Sequence, residues 1–331
     1  MLSGMKVIVQ IPCFNEESTL PATLADLPRS LPGIDRVEWM VVDDGSSDRT
    51  AEVARELGVD HVVRLPYNQG LAQAFMTGLV AAVERGADVI VNTDADNQYR
   101  GADIARLVAP VVAGAADIVV GARPISTIAH FSPLKRLLQR MGSRIVRGLS
   151  GTTIRDAPSG FRAFSANAAL RLNVFSAYTY TLETIIQAGH TGLRVIDVPI
   201  EVNPPTRESR LIRSIPSYLR KSIVALLGAY TIYRPTRLFG GLAVLFLLPA
   251  GVLAARYLVY LGMGEGAGHV QSVIASGVLA IAGLFMIAIG VLAHLLAINR
   301  RLLEELRYLE RVRVLGQRDA AQRQIARSAS G

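Results

Sequence analysis

The sequence predicts an α/β domain on a mostly parallel sheet, followed by two transmembrane helices. Three observations carry that prediction. Short β-branched runs alternate with helix-length segments up to about Arg210, the spacing of a parallel sheet covered by helices on both faces. These runs end in clusters of polar and charged residues. Residues 238–297 are then almost continuously apolar.

In chain order, residues 7–11 read as a buried strand closed by Pro12. Asn15-Glu16-Glu17-Ser18 opens a helix expected over residues 15–27, with its acids at the positive end of the helix dipole. A strand over 37–42, a helix over 49–57 and a short strand over 61–65 follow. Residues 70–85 and 104–113 read as helices, and 89–93 and 118–121 as strands. Residues 211–232 have the spacing of an amphipathic helix in the membrane interface, or of a core-facing helix. The first apolar run, 238–255, contains Pro249, and the second covers 270–298. Arg234, Arg237, Arg300 and Arg301 flank the outer ends, while the connector 262–268 has no Lys or Arg. That asymmetry predicts both termini on the cytoplasmic side. Two helices buried in a soluble core are the alternative. Residues 301–323 read as an exposed charged helix whose Leu302, Leu306 and Leu309 offer a stripe for contact between subunits, hence a homo-oligomer. The last residues are expected to be disordered. The expected divisions are the α/β domain over 1–210, an interfacial helix over 211–233, two spans over 234–299, and a cytoplasmic segment over 300–331.

Composition agrees with this division. Half of the 331 residues are hydrophobic, and mean hydropathy is +0.33. A net charge of +8 suits an anionic partner: nucleic acid, a membrane surface or a phosphorylated substrate. The basic residues cluster beside apolar segments, so nucleic acid is set aside. The single cysteine, Cys13, excludes an intrachain disulfide, and no His close in sequence marks it as a nucleophile. The amino terminus reads as a strand rather than a signal peptide.

Ligands of such sheets bind beyond the carboxyl ends of the strands. Those ends read Pro12-Cys13-Phe14-Asn15-Glu16, Asp43-Asp44-Gly45-Ser46, Asp94-Ala95-Asp96-Asn97-Gln98 and Gly121-Ala122-Arg123. On an extended strand, Asp94, Asp96 and Gln98 project to one side. Their hard oxygens suit Mg²⁺ or Mn²⁺, with a phosphorylated substrate completing the shell. A polar turn is the competing reading. A calcium loop fits poorly, since Tyr99 stands where an EF-hand needs glycine and Ala105 where it needs glutamate.

These motifs resemble the family-2 glycosyltransferases of GT-A fold, in particular the polyprenyl-phosphate sugar transferases, over about residues 5–212. The resemblance implies a Rossmann-like nucleotide-sugar domain and inverting transfer from a nucleoside-diphosphate sugar to a polyprenyl phosphate. Under it, Pro12, Phe14 and Glu16 flank the nucleotide, and Asp44 accepts a hydrogen bond from the base. Asp94, Asp96 and Gln98 hold the divalent ion, and Arg123 adds positive charge near the leaving group, unless it is an ordinary surface arginine. Asp156-Ala157-Pro158-Ser159-Gly160-Phe161-Arg162 resembles the family's segment at the donor–acceptor junction, with Asp156 orienting sugar or acceptor, or else serving a structural turn. Lys135, Arg136, Arg140, Arg144 and Arg147 make a basic helix, either a solvated face or a seat for anionic headgroups. The family's acceptor pair falls on Gln139 and Ser143, which leaves Arg140 as the nearest cation. Thr206-Arg207-Glu208-Ser209-Arg210 resembles a loop closing over the phosphates, with Arg207, Ser209 and Arg210 as its contacts. In Asn68-Gln69-Gly70-Leu71-Ala72 the family's Lys-Gly is replaced by Leu-Ala, so one phosphate-directed cation is missing.

Two rivals follow. A processive polysaccharide synthase carries a Gln-x-x-Arg-Trp segment and more spans, whereas the one tryptophan here, Trp39, falls in a strand. A non-catalytic nucleotide-sugar-binding membrane subunit fits the replaced lysine.

Overall fold

Strands β1 (Lys6–Cys13), β2 (Arg36–Asp43) and β4 (Val89–Asn92) form the centre of the sheet because their apolar runs are buried on both faces, as a parallel sheet requires. The chain is described by a computed structural model covering residues 4–124, 133–174, 180–204, 224, 228, 230–231 and 233–329, with the backbone alone for 133–141 and 318–329. Around the centre stand β3 (His61–Arg64), β5 (Ile118–Ala122), β6 (Arg162–Ser165) and β7 (Val195–Pro199), in the order β3-β2-β1-β4-β6-β5-β7. All neighbouring pairs are parallel except those of β6, which runs antiparallel between β4 and β5.

The connecting helices are α1 (Leu20–Asp26), α2 (Thr50–Glu56), α3 (Leu71–Glu84), α4 (Ile104–Val112), α5 (Pro133–Ser150), α6 (Ala166–Arg171) and α7 (Thr181–His190). The expected α/β domain is observed, with one shortened element. α1 begins at Leu20 rather than Asn15, because Asn15 adopts φ +55° and the carbonyl of Glu16 accepts from the amides of Thr19 and Leu20 in a separate turn.

The chain divides into two compact units, one comprising Met1–Ala225 with Glu305–Gly331 and the other Leu226–Glu304. The second holds α8 (Pro235–Gly262) and the start of α9 (Val270–Ala329). Among the described residues two helices are long and apolar enough to cross a membrane, and only 11% of each one's most apolar window is buried. Their leucines, isoleucines and valines face outward, which excludes the soluble-core alternative. α8 stays helical through Pro249. The two helices approach closely at small residues seven apart: Ser276 Oγ donates to the carbonyl of Ala250 (2.8 Å), Gly283 abuts Leu247, and Gly290 abuts Phe239.

α9 extends to Ala329, through a stretch rich in the helix formers Ala, Gln and Arg. One face of its later part is docked rather than solvated. Tyr308 Oη donates to Asn167 Oδ1 (3.0 Å), Arg311 Nη1 donates to the carbonyls of Leu170 and Leu172, and Arg171 lies over the Tyr308 ring. Leu302, Leu306 and Leu309 are exposed, as the stripe predicts.

Candidate active site

The turns after β1 and β2 interlock. Ser46 Oγ accepts from the Asn15 amide and Asn15 Oδ1 from the Ser47 amide, both at 2.9 Å. Asp43 Oδ1 accepts from the Ser46 amide (2.9 Å), an Asx turn of the kind the sequence offered as the alternative reading. Gly45 is required here: its φ is +69°, and a Cβ would lie 2.5 Å from the backbone carbon of Tyr67. Asp44, almost fully buried, accepts from the amides of Gln69 (2.7 Å) and Gly70 (2.8 Å). Burial raises its pKa, although both amides act to lower it. Asp44 thus ties β2 to the loop that opens α3, with spare lone pairs for a ligand.

Along β1's end, Pro12 is buried and Phe14 is 41% exposed. The Glu16 carboxylate is nearly buried and accepts from Thr19 Oγ1 (2.5 Å). Cys13 is buried, and that burial pushes its thiol well above the ordinary range, so it is inert.

Beyond β4, Asp94 and Asp96 are both partly buried. Burial first, then the neighbouring Asp96 charge, pushes the Asp94 carboxyl up to about 7, against the pull of Arg123. The loop is fixed from both sides. Ala95's carbonyl accepts from Thr23 Oγ1 (2.9 Å), and Asp96 Oδ1 accepts from the Gln98 amide (3.2 Å). The Asn203 amide donates to Gln98's carbonyl, and Tyr99 bridges to Val202, so the chain entering residues 205–210 leaves from beside this loop.

A third segment closes on the same place. Arg123 donates to Asp156 through Nε (2.7 Å) and Nη2 (3.0 Å), a forked pair with Asp156 fully buried. Arg123 is therefore no ordinary surface arginine. Arg162, wholly buried, donates to the carbonyls of Ser159 and Ala157 and to Thr184 Oγ1, shaping the turn from within. Ser143, expected at the acceptor phosphate, is buried, and its Oγ accepts from the Ala157 amide (3.3 Å). Gly160 lies directly against Asp94: a Cβ there would stand 3.1 and 3.2 Å from the two carboxylate oxygens.

Asp94, Asp96, Gln98, Arg123 and Asp156 thus come together along one rim, with Asp44, Phe14 and Glu16 on the neighbouring turns. Arg207, Ser209 and Arg210, most of the interfacial helix expected over 211–233, and the side chain of Arg140 lie outside the described residues. Among the described residues no group of three His, Cys, Asp or Glu could hold a metal. Two partly buried carboxylates whose charges oppose one another nevertheless fit Mg²⁺ or Mn²⁺ that shares its shell with phosphate oxygens and water.

Sequence reasoning missed Asn92, Tyr99, Tyr180 and Arg162, all buried around this segment. The available signal was Asn92, an amide ending an apolar run, and Arg162 following Ser-Gly-Phe.

Residues 8–172 match the profile of Glycosyl transferase family 2. An undecaprenyl-phosphate mannosyltransferase of Micrococcus luteus is 30% identical over 206 residues, spanning 59% of this chain and 83% of the relative. A UDP-N-acetylglucosamine–dolichyl-phosphate N-acetylglucosaminyltransferase of Methanococcus voltae is 32% identical over 216 residues, 58% of this chain and 83% of the relative. Among solved structures, glucosyl-3-phosphoglycerate synthase from Mycobacterium tuberculosis, in complex with Mn²⁺, UDP and glucosyl-3-phosphoglycerate, superposes with a TM-score of 0.55 at 20% identity. It covers 68% of this chain and 80% of its own, and speaks for the fold.

Proposed function

Because this chain belongs to glycosyl transferase family 2, we propose that it transfers a sugar, with inversion, from a nucleoside-diphosphate donor to the phosphate of a membrane-held polyprenol. The observation that carries this reading is the Asp94–Asp96 loop packed against Gly160, in a chain that also bears two outward-facing apolar helices. The names of the two relatives differ in the sugar and agree in a lipid phosphate, so the reading commits to the acceptor class and leaves the sugar open.

The chemical difficulty is charge. A phosphate monoester is already ionised near neutrality, so the nucleophile needs little help from a base. The barrier lies in bringing two anions together and expelling a third. A divalent cation, when bound, stabilises negative charge on the departing diphosphate. Asp94 and Asp96, with Gln98, would hold it. Asp156 orients Arg123 through the forked pair, and the arginine would add positive charge near the leaving diphosphate. Arg207 and Arg210 supply further positive charge, Arg140 and Ser209 serve the acceptor phosphate, and Ser143 supports the Asp156 turn. Pro12, Phe14, Glu16 and Asp44 form the nucleotide end. The spans hold the domain at the bilayer with both termini cytoplasmic, where nucleotide sugars are found.

Membranes holding the full chain, incubated with labelled nucleotide sugars, polyprenyl phosphate and Mn²⁺, are expected to yield a lipid-phosphate monosaccharide. Asp96→Ala should abolish it while membrane insertion persists. Normal turnover by that variant would remove the metal role, and an elongating polymer would favour a processive synthase.

A further inference from the structure

Three buried side chains converge on Gly160 and a fourth, Gln10, holds one of them; none of the four has a part in the chemistry described above. The Gly160 amide donates to Tyr99 Oη (3.0 Å). On the other side of the same Cα, the Gly160 carbonyl accepts from Asn92 Nδ2 (2.9 Å) and, at 3.4 Å, from Tyr180 Oη. Asn92 Nδ2 also meets Tyr180 Oη (2.8 Å), and Gln10 Nε2 donates to Asn92 Oδ1 (2.9 Å). Both phenol rings are locked, Tyr180 stacked on Phe75 with centroids 3.8 Å apart and Tyr99 on Phe161 at 4.9 Å. Gln10 and Asn92 are fully buried, Tyr180 is 1% exposed and Tyr99 6%.

Burying two amides on β1 and β4 and two phenols from adjoining segments is costly, the more so because Gln10 Oε1 finds no partner, and an apolar filling would hold β1 and β4 together equally well. What the polar filling adds is position. It grips the peptide groups on both sides of one glycine. The bare Cα of that glycine stands where a Cβ would meet Tyr180 Oη at 2.9 Å and the Asp94 oxygens at 3.1 and 3.2 Å.

We propose that Tyr99, Tyr180, Asn92 and Gln10 are positioning residues for transfer, a clamp that presses the Gly160 backbone against the Asp94 carboxylate and fixes how that carboxylate meets its cation. The proposal rests on the metal-dependent reading above. Groups that orient a metal-binding carboxylate without touching the ion govern affinity more than fold.

The test uses the full chain in detergent, titrated with Mn²⁺ in the presence of UDP or GDP, with nucleotide binding followed by calorimetry and stability by thermal unfolding. Tyr99→Phe and Tyr180→Phe each remove one hydroxyl and keep the ring. Each should raise the Mn²⁺ concentration for half-maximal nucleotide binding by about tenfold or more. Gly160→Ala strikes the same contact from the other side, keeps both tyrosines but drives a methyl against the Tyr180 hydroxyl and the Asp94 carboxylate, and should give the same shift. A purely structural role predicts lower melting temperatures with wild-type Mn²⁺ midpoints, and that pattern in the Phe variants or in Gly160→Ala would overturn the clamp. Absence of Mn²⁺-dependent binding in the wild-type chain would instead sink the metal reading itself, and the clamp with it.

Discussion

The surroundings of Asp94 oppose its charge, with burial and Asp96 together lifting its pKa to about 7. An ordinary aspartate loses its proton near about 4. The folded apo chain therefore keeps a proton that the unfolded chain has released, and apo stability declines as pH climbs from about 4 to about 7. On the metal-dependent reading proposed above, a cation would bind the deprotonated form, so its affinity should rise with pH through the upper part of that window. We expect Mn²⁺ to raise the melting temperature little at about pH 6 and clearly at about pH 8. Asp94→Asn should raise the apo melting temperature at about pH 8 and lose the Mn²⁺ effect. A Mn²⁺ effect indifferent to pH would refute the assignment. The Asp94 and Asp96 positions were legible because two acids ending a β-branched run have few structural uses. Tyr99 and Tyr180 were not legible: they meet at Gly160 from 61 and 20 residues away, and no local pattern marks that meeting.

At the scale of elements, the parallel strands followed from their apolar runs, whereas β6 and β7 did not. β6 opens on Arg162, whose charge looks foreign to a strand until Ala157, Ser159 and Thr184 are seen to take its donors. Its antiparallel course depends on β4 and β5, distant in sequence. β7 carries Asp197 and ends on Pro199, and it pairs only at the sheet edge. The β2–α3 tie yields a prediction of its own. Asp44→Ala would leave the Gln69 and Gly70 amides without their carboxylate, at about 1 kcal/mol or more each. The apo melting temperature should fall accordingly, and Asp44→Asn, which keeps one acceptor, should fall less. A residue serving only the nucleotide base would leave the apo protein unchanged, so an unaltered melting curve for Asp44→Ala would count against the tie.

For the whole molecule, the decisive quantity is length against charge. α9 has 60 residues, about 90 Å at 1.5 Å per residue, while a bilayer core is about 30 Å thick. Much of this helix must therefore stand outside the hydrocarbon. We propose the cytoplasmic side from the sequence asymmetry: arginines at 234, 237, 300 and 301, and none in the connector. The later part of α9 carries Tyr308 and Arg311, which bond to the end of α6 in the catalytic unit, so that side must also be the one holding the carboxylate rim. Alkaline phosphatase, active only outside the cytoplasm, should be active when fused after Met263 and inactive when fused after Arg301. A fluorescent protein that matures only in the cytoplasm should show the reverse pattern. The opposite pair of results would put Asp94 and Asp96 across the bilayer from the nucleotide sugars, and cytoplasmic transfer could not survive it.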